Sequence, residues 1–291
     1  RYQIGPVFRD EPITKNRFRQ FTQCDVDIIG LSNSVARDEV EVLSLTKEIL
    51  DKLETGELRS ADKTENGWKA NVEVKKAILE SFKNGENASY EGIYEGFVDK
   101  HNLPPRYFEP EDGVRLVPGG SSVRRGAYVA PGVIIMPPAY VNVGAYVDEG
   151  SMVDSHALVG SCAQIGKNVH LSAGVQIGGV LEPVGMNPVI IEDDCFIGAG
   201  VVIVEGILVR SKAVIAPGVV LSKSIPVYDA VNEEVRERGS EIPEGAVVIP
   251  GSRPVNSDWA KKQGLNMDCP IIVKYRDEGS NASLELEEAL R

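Results

Sequence analysis

Apolar residues recur every six positions from Val123 to Leu221. Stepping by six meets an aliphatic residue without a miss as far as Ile177, and the same phase resumes at Ile191 after one interruption. The residue two positions before each aliphatic one is small or β-branched almost throughout. One aliphatic and one small inward position in every six residues fit a narrow prism whose faces are short strands. The aliphatic positions are Val123, Val129, Ile135, Val141, Val147, Val153, Val159, Ile165, Leu171, Ile177, Ile191, Ile197, Ile203, Val209, Ile215 and Leu221.

Glycine marks the corners of this prism. It recurs three residues after the aliphatic position, where the chain turns and a side chain would obstruct it. A period of six with glycine corners is the signature of a hexapeptide β-helix, in which each coil buries its face only against its neighbours. We therefore predict a mainly β protein with a parallel β-helix over residues 113–225. The corner glycines are Gly126, Gly132, Gly144, Gly150 and Gly174.

One interruption breaks the repeat. Ile177 and Ile191 are fourteen residues apart, which is two more than two repeats. We predict that residues 178–190 form a loop that projects from the prism. Loops on a rigid scaffold tend to carry function. Glu182 in this loop and Glu205 at a later corner are therefore candidate site carboxylates, although each also fits an ordinary exposed charge.

The segments on either side of the repeats carry other patterns. Two apolar sets with helical spacing predict a small, largely helical N-terminal domain over residues 1–112. Prolines among short apolar runs predict a strand-containing cap over residues 226–291, with a polar, helix-like end from Ser283 to Leu290. The two helical sets are Val42, Leu45, Ile49, Leu50 and Leu53, and Val74, Ala77, Ile78 and Phe82.

Composition excludes several classes of function. A formal charge of −12 opposes binding to nucleic acid, because that binding needs a basic stripe that displaces counterions. No apolar run reaches the roughly 18 residues that cross a bilayer, and the first residues lack a signal-peptide pattern, so we expect a cytoplasmic protein without a membrane partner. The four cysteines form no CxxC pair, which argues against a zinc site and a disulfide framework. An anionic substrate would need locally clustered arginines.

Several strings resemble the tetrahydrodipicolinate N-succinyltransferases, a family of hexapeptide-repeat acyltransferases in lysine and diaminopimelate biosynthesis. The resemblance is dense over the solenoid and thin over the flanks. Strings of this length are far more specific than the bare hexapeptide. They are VRLVP at 114–118, YVNVGAYVDEG at 140–150, GSCAQIGKNVHLS at 160–172, GGVLEP at 178–183 and IIED at 190–193.

The resemblance implies a homotrimer of left-handed β-helices. It implies that succinyl-CoA and a cyclic dicarboxylate imine bind in grooves between subunits, the imine in its hydrated form or ring-opened as 2-amino-6-oxopimelate. The acceptor amine then attacks the thioester directly, without an acyl-enzyme. Arg115 and Asp154 match the family's substrate contacts.

Two stretches depart from the family pattern. Gly198-Ala199-Gly200-Val201-Val202 stands where the family has Gly-Ala-Arg-Ser-Glu, so Val202 replaces a carboxylate associated with the site. This stretch is also similar to the N-acetyltransferases of the same pathway, which leaves acetyl-CoA open as the donor. The second departure is Asp154-Ser155-His156, where the family has Asp-Thr-Trp.

Asp154 is the candidate catalytic residue. It follows the inward Val153, so its side chain points off the prism surface. The acceptor amine is mostly protonated at neutral pH, and a positioned carboxylate can accept the proton that it must lose. A residue on a convex surface needs a second subunit to complete a pocket, and a cyclic trimer is the simplest closed arrangement.

Arginines and corner amides are the candidate binding groups. Guanidinium groups clamp carboxylates bidentately, which makes Arg115 a candidate for the substrate carboxylates, while Arg124 and Arg125 fit surface or interface charges better. Backbone amides near the last corners are candidates to flank the CoA arm. These are Gly198, Ala199, Ala216, Pro217 and Gly218.

The histidines suggest two further possibilities. His156 could act as a lone base, as in other hexapeptide acetyltransferases, and three histidines in one row would hold zinc, as in β-helical carbonic anhydrases. His156 and His170 fall in different rows and His101 lies outside the repeats, so we expect no metal.

Two other functions stay open. One is a hexapeptide transferase that acts on a sugar or on serine, and the other is a non-enzymatic solenoid that binds a partner. A purely structural solenoid would not need the interrupting loop.

Overall fold

The computed structural model describes residues 2–8, 20–26 and 44–276. The chain divides into two units, residues 1–45 and 46–291. In the first unit, β1 (Tyr2–Phe8) and β2 (Gln20–Val26) pair as an antiparallel hairpin, although the sequence predicts a largely helical region here. Val42 and the predicted helix from Ser283 to Leu290 lie outside the described residues. Within those residues, no helix has both the length and the apolar character needed to cross a membrane.

The second unit begins with two helices and two small hairpins. Helix α1 is described over residues 44–54. Helix α2 is capped at its N-terminus by Asn71, whose Oδ1 accepts a hydrogen bond from the Val74 amide at 3.3 Å. The remaining elements are β3 (Ala61–Thr64), β4 (Gly67–Ala70), α2 (Val72–Asn84), β5 (Asn87–Ser89) and β6 (Val98–Lys100), with 3₁₀ turns at Gly92–Tyr94 and Pro110–Asp112.

Three parallel sheets of two-residue strands form the faces of a prism, which confirms the predicted parallel β-helix. Face A contains β7 (Arg115–Leu116), β10 (Ile134–Ile135), β13 (Met152–Val153), β16 (His170–Leu171), β19 (Phe196–Ile197) and β22 (Val214–Ile215). Face B contains β8 (Ser122–Val123), β11 (Tyr140–Val141), β14 (Leu158–Val159), β17 (Gln176–Ile177), β20 (Val202–Ile203) and β23 (Val220–Leu221). Face C contains β9 (Tyr128–Val129), β12 (Tyr146–Val147), β15 (Gln164–Ile165), β18 (Ile190–Ile191) and β21 (Leu208–Val209).

The pairing register gives the length of each coil. Tyr146 pairs with Gln164, which is 18 residues later, whereas Gln164 pairs with Ile190, which is 26 residues later. The difference, 26 − 18 = 8, is the length of the insertion. The step from β17 to β18 is therefore one repeat plus eight residues, and the sequence count of two repeats plus two does not describe it.

The interior contains the residues that the six-residue pattern predicts. Each of the sixteen aliphatic positions is at most 5% exposed, and the small residues two positions earlier are buried from Ala127 to Val219. Burying a Val, Leu or Ile side chain contributes roughly 1.5–3 kcal/mol, so this column is the main source of stability in the solenoid.

The N-terminal elements of the second unit pack on the edge between faces B and C. Leu50 of α1 and Ile78 of α2 form one apolar cluster with Val143 and Cys162 of that edge. Leu45, predicted on the apolar face of α1, is instead 55% exposed. This region therefore covers that edge and extends over face C, where Arg59 Nε donates to Gln164 Oε1 at 2.9 Å.

Strands close the far end of the solenoid, as the sequence predicts. β26 extends face A by pairing in parallel with β22, and β27 pairs antiparallel with β26. These strands cover the last coil, which would otherwise expose unpaired backbone groups. The cap consists of β24 (Tyr228–Asp229), β25 (Glu234–Val235), β26 (Ala246–Pro254), α3 (Asp258–Lys262) and β27 (Asn266–Tyr275).

Two corners of the prism require glycine for different physical reasons. The backbone of both Gly144 and Gly174 is in the left-handed region, with φ of 73° and 72°. A Cβ on Gly144 would lie 2.7 Å from Ile78 Cδ1, whereas a Cβ on Gly174 would meet only the backbone of Gly200 at 3.8 Å. The obstruction that the sequence suggests is real at Gly144, while the φ angle alone explains Gly174.

This contrast predicts two different losses of stability. Gly174→Ala should cost about 1–2 kcal/mol, the usual penalty of a left-handed alanine. Gly144→Ala should cost roughly 1–3 kcal/mol more, because the added methyl group also overpacks the contact with α2. Denaturant midpoints of the two variants check this expectation, and equal midpoints would contradict it.

Candidate active site

Asp154 lies at the edge between faces A and B, immediately after β13. Its Oδ1 accepts a hydrogen bond from the Ser155 amide at 2.7 Å, which fixes the orientation of a half-buried carboxylate. Its Oδ2 has no hydrogen-bond partner among the residues that the structure describes. One carboxylate oxygen is therefore held and the other is available to a ligand.

Small residues continue the row of Asp154 along the same edge. The parallel pairing of β13, β16, β19 and β22 places Ser172, Gly198 and Ala216 at equivalent positions in the next three coils. We call these three residues the edge lane. Strands in a sheet are about 4.8 Å apart, so Gly198 is about 10 Å and Ala216 about 14 Å from Asp154. None of these three residues projects a long side chain from the edge.

The backbone amides at this edge are mostly used between coils. The Gly198 amide donates to Ile215 O at 2.7 Å, the Ala216 amide to Val248 O at 2.8 Å and the Gly218 amide to Ala199 O at 3.0 Å. The Ala199 amide has no acceptor within the described part of the chain. Of the predicted CoA contacts, Ala199 therefore offers a free hydrogen-bond donor, whereas Pro217 has no N–H to donate. Gly198, Ala216 and Gly218 offer only the absence of a bulky side chain.

Arg115 lies on face A two coils before Asp154. The pairing of β7 with β10, and of β10 with β13, puts it about 10 Å from the Asp154 coil. Its side chain is exposed and lines an open cavity of about 590 Å³ together with Tyr94, Tyr107 and Phe108. No carboxylate pairs with it among the described residues, so its charge is available to an anion.

The other two candidate arginines are already neutralised. Arg124 pairs with Asp99 at 2.5 Å and stacks over the ring of Phe82, and Arg125 pairs with Asp51 at 2.5 Å. These contacts connect the N-terminal elements to the first coils. They occupy the charges of Arg124 and Arg125, whereas Arg115 has no such partner among the described residues.

Glu182 and Glu205 lie at a different edge, between faces B and C. Glu182 is exposed in the 178–190 loop. The backbone of Glu205 is in the left-handed region, with φ of 60°. Its Oε2 accepts a hydrogen bond from the Lys223 amide at 2.8 Å. One copy of the chain therefore does not bring either carboxylate into the row of Asp154.

The 178–190 loop is anchored by residues from the N-terminal elements. Lys75 Nζ donates to Val180 O at 2.5 Å and to Met186 O at 2.6 Å. The side chain of Asn187 accepts from the Ala70 amide at 2.7 Å and donates to Trp68 O at 2.8 Å. The loop is thus part of the folded body.

The anchoring contacts of Lys75 are absent from the sequence-based predictions. Its position three residues before Ile78 places it on the buried side of α2, but does not show which distant groups it binds. A lysine there is easily taken for a charge at the edge of an apolar face.

The histidines occupy three unrelated surroundings. His156 is exposed at the edge between faces A and B, with a left-handed φ of 62°. His170 stacks on Phe196 with ring centroids 5.2 Å apart, and His101 Nδ1 accepts from the Glu86 amide at 3.0 Å. Within the described residues, no three His, Cys, Asp or Glu side chains are grouped so that they could hold a metal ion.

The solenoid cysteines are poor nucleophiles. Burial raises the pKa of Cys162 to about 11 and the pKa of Cys195 to about 12. Both are therefore neutral thiols at physiological pH, and a buried thiol does not attack a thioester. This agrees with direct attack by the acceptor amine.

Comparison with known proteins assigns the family. A family model described as the N-terminal region of tetrahydrodipicolinate N-succinyltransferase matches residues 32–83, and one described as the hexapeptide repeat of succinyl-transferase matches residues 188–223. The solved structure of a Campylobacter jejuni protein named as a 2,3,4,5-tetrahydropyridine-2-carboxylate N-succinyltransferase superposes with a TM-score of 0.50 at 20% identity. The superposition covers 79% of this chain and 62% of that one, and supports the fold alone.

Curated relatives give a closer match. A 2,3,4,5-tetrahydropyridine-2,6-dicarboxylate N-succinyltransferase of Coxiella burnetii is 47% identical over 264 residues, covering 89% of this chain and 92% of the relative. The enzyme of the same name from Ralstonia nicotianae is 44% identical over 272 residues, covering 91% and 94%. These matches confirm the resemblance seen in the sequence, and the chain belongs to the 2,3,4,5-tetrahydropyridine-2,6-dicarboxylate N-succinyltransferases, a family of acyltransferases.

Proposed function

We propose that this chain transfers the succinyl group of succinyl-CoA to the amine of 2-amino-6-oxopimelate, the ring-opened form of tetrahydrodipicolinate. Family membership carries the proposal. Two features support it: a carboxylate with a free oxygen at Asp154, on the edge between faces A and B, and an unpaired guanidinium at Arg115 on face A. A base and an anion site match an acceptor that has both an amine and carboxylates.

The reaction follows from these groups. The amine attacks the thioester carbonyl in its neutral form, after its ammonium proton has been released to solvent. The new C–N bond forms, the C–S bond breaks and CoA leaves as its thiol. Asp154 Oδ2 accepts the proton that the amine loses, and this proton is available to the departing sulfur. Arg115 binds a substrate carboxylate through parallel N–H donors and orients the amine. Positioning and proton transfer together supply the rate enhancement.

The donor arm is proposed to lie along the edge lane. Gly198 and Ala216 present no long side chain there, and the Ala199 amide is free to donate. Val202, at the position of a family carboxylate, is half-buried on face B and carries no charge. Acetyl-CoA is the alternative donor, because the stretch that ends at Val202 is similar to the N-acetyltransferases.

Side-by-side kinetics decide the donor. Assays of tetrahydrodipicolinate with succinyl-CoA and with acetyl-CoA should give the larger kcat/KM for succinyl-CoA. A larger kcat/KM for acetyl-CoA would identify the enzyme as an N-acetyltransferase of the same pathway. Turnover with neither donor would favour another hexapeptide transferase, and failure to bind CoA in a thermal-shift assay would leave a non-enzymatic solenoid.

Asp154→Asn should leave the protein folded and nearly remove turnover. The amide fills the same space but accepts no proton, so kcat should fall by about 10²–10⁴ while CoA binding stays similar. His156→Ala is the matched control at the same edge and should cost much less. If Asp154→Asn keeps more than about a tenth of wild-type kcat, Asp154 is only a binding or structural residue. The base would then be sought at Glu182, Glu205 or His156.

We also propose that the enzyme is a homotrimer whose site is shared between copies. Asp154 and Glu182 lie at different edges of one copy, so a second copy is needed to bring them together. Such a contact joins two different surfaces, and repeating it closes a ring.

Mixed assemblies test this arrangement. Asp154→Asn and Glu182→Gln should each lower activity alone. When the two variants are co-expressed in equal amounts, half of the copies supply Asp154 and half supply Glu182. About a quarter of the shared sites then contain both carboxylates, so about a quarter of wild-type activity should return. Sedimentation should give the mass of three copies. Activity no higher than the sum of the two separate variants, or an active monomer, would contradict the shared site.

A further inference from the structure

Lys75 is a charged side chain with no access to solvent. Its relative exposure is 0%, and burial lowers the pKa of its ammonium group. It forms no ion pair with a carboxylate among the described residues, and its hydrogen bonds go to two backbone carbonyls. Burying an ammonium group is unfavourable unless its N–H groups are satisfied, so the groups that accept from Nζ matter for what this lysine does.

The two carbonyls that Lys75 binds identify that role. Val180 and Met186 lie at the two ends of the projecting part of the 178–190 loop, and Nζ bonds to both. One ammonium group thereby draws the ends of the loop together. Glu182 is exposed between these two anchor points.

The surrounding contacts fix where the closed loop lies on the solenoid. The Val180 amide donates to Ser161 O at 3.2 Å, which connects the start of the loop to the edge between faces B and C. At the other end, a Cβ added to Gly206 would lie 2.3 Å from Asn187 O, so the loop rests directly on the corner beside Glu205. Lys75 therefore determines the position of the Glu182 backbone relative to that corner.

We propose that Lys75 is a positioning residue for acyl transfer, which holds the 178–190 loop closed so that Glu182 is presented at a fixed place in the site shared with a neighbouring copy. The proposal rests on the proposed function. It assigns to α2, a helix far from Asp154 in the sequence, control over one half of the site.

Lys75→Met tests the proposal, since methionine has a similar length and no donor. The matched control is Lys76→Met, the same change at the next residue, where the side chain is exposed and has Glu73 as its one ion-pair partner within the described residues. Lys75→Met should lower kcat by about 10²-fold, the loss typical of a misplacement near 1 Å, and Lys76→Met should leave kcat unchanged. In a Glu182→Gln background, Lys75→Met should add less than about a twofold loss, because both changes remove the same contribution.

A second readout follows the loop itself. Hydrogen exchange at the Val180 and Met186 amides should accelerate in Lys75→Met and stay as in the wild type in Lys76→Met. If Lys75→Met does not fold, Asn187→Ala releases the same loop from its other anchor and should show the same non-additive loss with Glu182→Gln.

Several results would overturn the proposal. They are wild-type kcat in folded Lys75→Met, losses that multiply with those of Glu182→Gln, or unchanged loop exchange. Absence of succinyl transfer in the wild type would instead remove the proposed function, and with it any part for Lys75 in turnover. The exchange measurement would still decide whether Lys75 holds the loop.

Discussion

Hydrogen bonds from each coil to the next fix the solenoid, and the position of the candidate site depends on them. The Asp154 amide donates to Leu171 O at 2.9 Å, and the Ser172 amide donates to Ile197 O at 2.9 Å in the same way. A slip of one residue in such a ladder would turn the buried aliphatic column outward. The free energy lost by exposing these side chains would be far larger than that gained from any surface contact. The row that contains Asp154 is therefore determined by the interior and not by local preferences of the site residues.

This dependence explains which parts of the site the sequence could predict. The period of six identifies every inward residue, and it places Asp154 outside the prism immediately after Val153. It does not decide which later residues share the row of Asp154, because the step from Ile177 to Ile191 can be counted as one repeat plus eight residues or two repeats plus two. The second count would move Gly198 to another edge. The strand pairing selects the first count, since Gln164 pairs with Ile190 and His170 with Phe196.

Polar contacts between distant segments could not be predicted from periodicity. Glu192 is 5% exposed and lies 2.9 Å from both Lys63 Nζ and Trp68 Nε1. Burial raises the pKa of Glu192, but the hydrogen bonds from Lys63 and Trp68 and the charges of Lys63 and Arg210 outweigh it and hold the pKa below its usual value. That carboxylate therefore stabilises the fold above its unfolded pKa of about 4.3, and the stability is lost as the pH falls through the lower folded value. Lys75 belongs to the same class, since its partners are carbonyls more than 100 residues away.

The division of the carboxylates between two edges follows from the shape of the prism. A coil with three faces buries its interior completely, so it has no concave surface of its own, and functional groups can stand only on edges and outer faces. Asp154 and His156 stand on one edge and Glu205 on another, and the last two carry left-handed backbone that favours glycine. Such backbone costs about 1–2 kcal/mol per residue, and the neighbouring coils hold it in place.

The scaffold can therefore keep side chains at fixed heights along an edge, but a pocket that encloses a substrate needs a surface from outside that coil. The 178–190 loop projects from another edge of the prism, and Lys75 of α2 holds both of its ends through hydrogen bonds.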